Sequence, residues 1–401
     1  MLFLLQVFFW FSFLGLFHTY FLYPLLMRLW AKGKLPNQII FKATDENWPD
    51  VIVLMAVFNE EKVIRQKMDS LLAQHYPAQK VSIFIGSDCS TDQTNPILEA
   101  YAQQYPQQVH FIPFNSRTGK PGIINQLFLQ ATKNHPAIEH TVLVVTDANV
   151  LLSEGVVRSL AQHFKNPAID IVDAHMVHYG MQEAGISKAE NQYISSEVRL
   201  KHWESLVWGK MIGPFGGCYA VRASRFTPVP AKFLVDDFFI TMKVFEQGGL
   251  AINELDAICY EAVSHEIREE YRRKARISAG NFQNLLSFRH LWWPPIQPLA
   301  FAFFSHKVLR WLGPFFFIIL LLSSFALALN HLLIYEVAFL AVAFVLFAVP
   351  LLDYLLRLIN IHVLPLRGIR YLLLMNLALL NGFINFIKGI KNNVWEPPKR
   401  T

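Results

Sequence analysis

Between residues 50 and 146, short apolar runs alternate with stretches of helical spacing. Val51–Val57, Val81–Ile85, Val109–Ile112 and Thr141–Thr146 read as buried strands. Glu60–Leu72, Asn95–Tyr105 and Ile123–Thr132, which lie between them, read as helices. In the first helix Val63, Met68, Leu71 and Leu72 fall on one side. Strands alternating with helices predict βαβ units and an α/β domain with a mostly parallel sheet. Ligands of such sheets sit at the carboxyl ends of the strands, where Asn59, Asp88 and Asp147 fall.

Uncharged apolar runs bracket this domain. Met1 to Met27 contains no Asp, Glu, Lys or Arg. At ~1.5 Å per residue it reaches across ~30 Å of hydrocarbon. Arg28, Lys32 and Lys34 follow, which predicts an outside start and a cytoplasmic domain. A cleaved signal peptide is the rival, but no positive segment precedes the run. Leu312–Leu329 and Val337–Leu352 are further candidate spans, with a kink expected at Pro350. Tyr371–Ile387 is interrupted by Asn376, Asn381 and Asn385 and has cations on both sides. It reads as a segment dipping into or lying on the cytoplasmic leaflet, in preference to a full crossing. Trp292 through Trp311 reads as interfacial, because Trp collects at headgroup depth. The expected organisation is a span at 1–27, a cytoplasmic domain at 48–285, an interfacial segment at 286–311 and a membrane region at 312–401 with a basic tail.

Composition agrees with a membrane protein. Apolar residues make up 53% of the 401, above the 45–50% usual for soluble domains. The net charge of +6 comes partly from cations flanking the apolar runs. It calls for no nucleic-acid partner, since no basic helix carries interleaved aromatics. Anionic lipids or an anionic substrate account for it. Cys89, Cys218 and Cys259 have no paired spacing, so neither a disulfide framework nor a zinc site is indicated.

Five polar motifs carry the candidate chemistry. Asn59-Glu60-Glu61 opens a helix, where Asn caps and early Glu favours the dipole; it can also face a nucleotide base. Asp88 and Asp92 flank a Ser/Thr-rich turn, either as a turn motif or as nucleotide contacts. Gly119-Lys120-Pro121-Gly122 lacks the spacing of a P-loop. It reads as a surface loop, or as Lys120 near a nucleotide with Asn125 supporting the loop. Asp147 and Asn149 follow a buried strand, and in extended geometry both would face one side. A carboxylate and an amide oxygen suit a hard divalent ion, while a turn-capping Asp is the plain alternative. Asp236-Asp237 heads an apolar helical run; the pair either caps the helix or supplies a base raised by its like-charged neighbour. Arg272, Arg273, Lys274 and Arg276 form a basic helix face or a clamp for a diphosphate.

Taken together, these motifs resemble glycosyltransferase family 2, in its membrane-embedded bacterial branch that builds polysaccharides or glycolipids. The resemblance implies a GT-A fold, Rossmann-like, combined with transmembrane and interfacial helices. It implies a nucleotide-sugar donor, most simply a UDP-sugar, and a divalent cation, Mg2+ or Mn2+. Asn59, Glu60, Asp88, Lys120 and Asp147 would bind the donor, with Arg273, Lys274 and Arg276 on its diphosphate. Asp147 and Asn149 would match the metal-binding Asp-x-Asp, with Asn in place of the second Asp. Asp237, preceded by Asp236, would match the catalytic base. Gly216 and Gly217 would match the acceptor loop, and Trp203 would stack on an acceptor ring or belong to the core. Trp395-Glu396-Pro397-Pro398-Lys399-Arg400 resembles the branch's Trp-containing tail. The expected reaction is a single inverting displacement onto a lipid-linked or saccharide acceptor at the cytoplasmic face of the inner membrane, with partner subunits of an envelope-polysaccharide system conceivable. Arg273-Lys274-Ala275-Arg276-Ile277 lacks the Gln-x-x-Arg-Trp of processive synthases, which argues against long-chain synthesis. Two rivals are a membrane-associated nucleotidyltransferase and a non-catalytic scaffold or transport component. The first favours a Gly-rich phosphate loop after Val57, which is not found there, and the second would place ionisable residues inside the spans.

Overall fold

The computed structural model describes residues 1–133, 138–179, 187–262, 267–359, 361–390 and 393. The chain divides into two compact units. One comprises Met1–Leu29, Met181–Ile194 and Ser264–Gly389, and the other Trp30–Gly180, Ser195–Val263 and Ile390–Thr401.

The second unit is built on one eight-stranded sheet. Its strands are β1 (Asp50–Val57), β2 (Val81–Ser87), β3 (Val109–Pro113), β4 (Thr141–Thr146), β5 (Val150–Leu152), β6 (Ile169–Tyr179), β7 (Cys218–Arg222) and β8 (Leu250–Ala262). They lie in the order β3-β2-β1-β4-β7-β6-β8-β5. The first four are parallel, as their helix-linked apolar runs predict. Every residue of β4 is buried, and all of β1 but Asp50, which suits strands covered on both faces. Beyond β4 the sheet is mixed: β7 runs antiparallel to β4 and β6, β6 and β8 are parallel, and β5 is antiparallel to β8. Four of the seven strand pairings are parallel, three among the first four strands and the fourth between β6 and β8, so the sheet is mostly parallel with antiparallel pairings confined to its second half.

Helix Gly119–Thr132 starts four residues before the apolar periodicity does. Gly119-Lys120-Pro121-Gly122 is its first turn, where Pro is tolerated because the first N–H groups have no intrahelical partner. Asn125, expected to support that segment as a loop, instead bonds both backbone groups of Val229.

The first unit is helical. Leu2–Ala31, Leu333–Leu358 and Leu364–Ile387 are each long and apolar enough to cross a bilayer. Pro298–Trp311 and Gly313–Ala328 form a pair bent by 62° that passes the same test together. Leu364–Ile387 is continuous through Asn376, Asn381 and Asn385, and Asn376 satisfies its own nitrogen on the Leu372 carbonyl one turn back. Arg370 of this helix lies 2.7 Å from the buried carboxylate of Asp353. Gly382 packs against helix Ile267–Ser287, where a Cβ would come within 2.3 Å of Ser278 Cβ.

Candidate active site

The carboxyl ends of β1 and β2 are stitched together by side chains. Asn59 has φ +51°, a left-handed conformation that Asn tolerates better than most residues. Its Oδ1 accepts from the Thr91 amide at 2.8 Å, and its own amide donates to Ser90 Oγ at 3.1 Å. The Glu60 amide donates to Thr94 Oγ1, and Asp92 accepts from the amides of Glu61 and Thr94. Thus the polar residues after both strands form one interlocked ledge.

Asp88 lies at the end of β2 and is fully buried. Its carboxylate accepts from Arg117 Nε at 3.0 Å and from the amides of Thr118 and Gly119 at 2.7 and 3.1 Å. Those amides open helix Gly119–Thr132, so the carboxylate braces a helix N-terminus. The Arg117 guanidinium lies 3.3 Å from the centre of the Phe58 ring. Asp88 therefore turns its oxygens into this brace, and Arg117 and Phe58 form a flat stack beside it.

Lys120 gathers the next group of residues. Its ammonium is 2.7 Å from Asp147 Oδ1 and 3.8 Å from Asp236 Oδ2, and donates to the Gly216 carbonyl at 3.2 Å. Burial alone would lower the Lys120 pKa, but Asp147, Asp236 and Asp237 outweigh that and raise it. Asp236 is buried, and its Oδ2 has no hydrogen-bond partner among the described residues. Asp237, the next residue of helix Asp236–Glu246, accepts from the Phe238 amide. Burial and the neighbouring Asp236 push its carboxyl up to about 7, against the pull of Lys120. A carboxylate with such a pKa can take a proton near neutrality, unlike an exposed Asp near ~3.9. Gly216 makes room for it, since a Cβ there would lie 2.5 Å from Asp237 Oδ2.

Asp147 and Asn149 do not share an extended strand face. The chain turns at the end of β4, with the Val150 amide bonded back to the Asp147 carbonyl at 3.3 Å. Asp147 takes Lys120, whereas the Asn149 amide nitrogen donates to Glu261 Oε1 at 2.8 Å. The turn rests on Lys67, a fully buried lysine that donates to Thr146 Oγ1 at 2.7 Å and to the Val150 carbonyl at 2.5 Å. Burial lowers its pKa to about 8. The Gly217 carbonyl accepts from both the Asp147 amide and Thr146 Oγ1, tying the Gly216-Gly217 loop to this turn. Asp173, buried on β6, accepts from the Phe215 amide and from Lys201 and so holds the same loop from behind.

A family model described as glycosyl transferase family group 2 matches residues 142–384, more than half of the chain. The chain belongs to this family. A second model, glycosyl transferase family 2, matches residues 52–221. Among curated relatives, beta-monoglucosyldiacylglycerol synthase of Synechocystis sp. is 29% identical over 133 residues, 33% of this chain and 26% of that protein. Probable glycosyltransferase YdaM of Bacillus subtilis is 24% identical over 249 residues, 60% of this chain and 57% of that protein. The chain thus spans about a quarter and under three fifths of these relatives' own lengths. Mannosyltransferase PcManGT from Pyrobaculum calidifontis, solved in complex with GDP-Man and Mn2+, has a TM-score of 0.68 at 20% identity. That likeness covers 96% of this chain and 99% of PcManGT, and it is a likeness of fold. The glycosyltransferase family thus brings the GT-A fold expected from the motifs.

The residues around Lys120 fit a divalent cation. Asp147 and Asp236 lie within 4 Å of one ammonium, Asp237 acts on it electrostatically, and Asp236 Oδ2 is an orphaned acceptor, which leaves negative charge uncompensated. No group of three His, Cys, Asp or Glu side chains among the described residues is placed to hold a metal by itself. Magnesium-type sites in phosphate-handling enzymes use one or two carboxylates and take the remaining ligands from the phosphates and water. Arg273 and Lys274 sit on helix Ile267–Ser287 and both bond the buried carboxylate of Glu270. Arg276 is exposed on the same helix. Trp203 lies partly buried on helix Ser187–Trp208 and makes no hydrogen bond or ring contact among the described residues. The tail from Trp395 to Arg400 lies outside the described residues. Sequence reasoning missed Lys67, Arg117, Asp173 and Glu261. A lysine inside an amphipathic helix and a Glu following Cys259-Tyr260 both look like surface residues until the strand order is known.

Proposed function

We propose that this chain transfers a sugar from a nucleoside-diphosphate sugar to the hydroxyl of an acceptor, in one inverting displacement. The observation that carries the reading is the pairing of Lys120 with Asp147 and Asp236 beside the Gly216 carbonyl, with Asp237 adjoining Asp236 and acting electrostatically on the same ammonium. These residues come from the end of β4, the start of helix Asp236–Glu246 and the loop before β7. Asp237 is the base: it accepts the acceptor hydroxyl's proton as that oxygen attacks the anomeric carbon. Gly216, which bears no side chain to block Asp237, lets the acceptor approach that carboxylate. Lys120 neutralises charge at the donor end of the site, and Asp88 positions Arg117 over Phe58, a stack suited to a nucleoside. Asp147 and Asn149 would hold a divalent cation, Mg2+ or Mn2+. When bound, such a cation offsets charge on the departing diphosphate as a Lewis acid.

The donor is a UDP- or GDP-sugar. The family resemblance favours UDP, while PcManGT was solved with GDP-Man. The acceptor is a lipid or a lipid-linked saccharide at the cytoplasmic face of a membrane. That choice is supported by the apolar helices and by the diacylglycerol in the name of the Synechocystis relative. The test is a screen of UDP- and GDP-sugars for cation-dependent nucleotide release by membranes containing the wild type or Asp147→Ala. One donor should be turned over by the wild type and not by the variant. Turnover of none, or equal turnover by both, would remove this reading.

A further inference from the structure

Asn149 stands where the family motif carries a second carboxylate, and a carboxylate from another strand lies against it. The β5–β8 register pairs Val150 with Glu261, which puts Asn149 beside the Glu261 side chain. Asn149 Nδ2 and Glu261 Oε1 are 2.8 Å apart. A carboxylate only accepts hydrogen bonds, so the amide must turn its NH2 toward Glu261. The planar amide then presents its oxygen on the other side. The Glu261 side chain is 14% exposed, and its other carboxylate oxygen lies 3.9 Å from Nε2 of the buried His178. A carboxylate this buried is costly unless it has partners.

We propose that Glu261 is a positioning residue for the cation site: it holds the Asn149 nitrogen and so fixes the amide oxygen as a ligand for the divalent cation that binds with the nucleoside diphosphate. The proposal rests on the donor-site reading above. It also explains why Asn stands at this position. An Asp at 149 would set two carboxylates against each other across the β5–β8 edge, and like charges at contact disfavour ionisation of one of them. One amide and one buried carboxylate replace the two carboxylates of the usual motif. An amide oxygen suits a hard cation, and partners behind a ligand commonly set its orientation.

The two residues can be separated by their signs. Full-length protein in detergent is titrated with MnCl2 in the presence of UDP, and of GDP in parallel, and free Mn2+ is read from its EPR signal. Glu261→Ala should weaken nucleotide-dependent Mn2+ binding by about 10-fold or more, the usual cost of losing such a partner. In an Asn149→Asp background the same substitution should tighten Mn2+ binding, because it removes a repelling charge. Glu261→Gln, whose amide oxygen can still accept, should stay close to wild type in the native background and should also tighten binding in the Asn149→Asp background. The Gln pair reads the same dependence on the residue at 149 if the Ala variant fails to fold. Unchanged binding in Glu261→Ala overturns the proposal. Equal weakening in both backgrounds overturns it too, since Glu261 would then be a ligand or a plain brace. A wild type with no nucleotide-dependent Mn2+ binding would instead remove the donor-site reading on which the proposal stands.

Discussion

Asp237 combines reactivity with a cost in stability. Its folded-state pKa of about 7 lies above the ordinary Asp value, because burial and Asp236 disfavour the charged form. The folded chain therefore holds more protons than the unfolded chain between roughly pH 4 and 7. Stability from this group is full below the unfolded pKa and falls as pH rises toward the folded pKa. Asp237→Asn should then melt higher than wild type at pH 8 in detergent, with the gain shrinking toward pH 4. Equal melting temperatures at pH 8 would mean that the carboxyl is not strained. The same pKa predicts an acidic limb near pH 7 in the rate profile of the wild type. A limb below about pH 5 would place the proton acceptor elsewhere. Gly216→Ala puts a methyl group 2.5 Å from Asp237 Oδ2 and should cut kcat while the melting temperature stays near wild type.

At the level of elements, two junctions carry the arrangement. Lys67 holds the β4–β5 turn from beneath through Thr146 and Val150. Lys67→Met keeps the stem but strands both acceptors, so a loss of about 1–3 kcal/mol is expected in denaturant titration. Catalytic efficiency should fall with it, because Asp147 sits on that turn. In the helical unit, Gly382→Ala would drive a methyl group into Ser278 and the Ala275 carbonyl, at a cost of about 1–3 kcal/mol from overpacking. The first four strands were legible in the sequence because each is a near-continuous apolar run and helices connect them. The other four were not. Buried Asp170 and Asp173 interrupt the apolar pattern of β6, and each is held by a long-range partner, Arg222 and Lys201. Partners of that kind are visible only after folding. The same reason hid Glu261, which faces Asn149 across a strand pairing of high sequence separation. Asp147, Lys120 and the Asp236-Asp237 pair were legible because each follows an apolar strand or opens a helix, but the pairing of Asp147 and Asp236 with one ammonium was not.

As a whole, the chain combines a GT-A sheet that carries the polar chemistry with a set of apolar helices. Each of Leu2–Ala31, Leu333–Leu358 and Leu364–Ile387 can bridge a bilayer of ~30 Å. A lipid-borne acceptor gives that combination a purpose, so transfer to a lipid acceptor in liposomes should exceed transfer to the matching soluble saccharide. Equal rates would argue that the apolar helices serve anchoring alone. On the proposed function, one set of carboxylates binds a cation-bridged donor and Asp237 alone takes the proton. The most direct measurement compares wild type and Asp237→Asn for donor binding in the presence of Mn2+ and for single-turnover sugar transfer. The variant should bind donor within a few-fold of wild type and transfer at least about 100-fold more slowly, as expected for loss of a general base. Transfer at the wild-type rate by the Asn variant would contradict that role for Asp237.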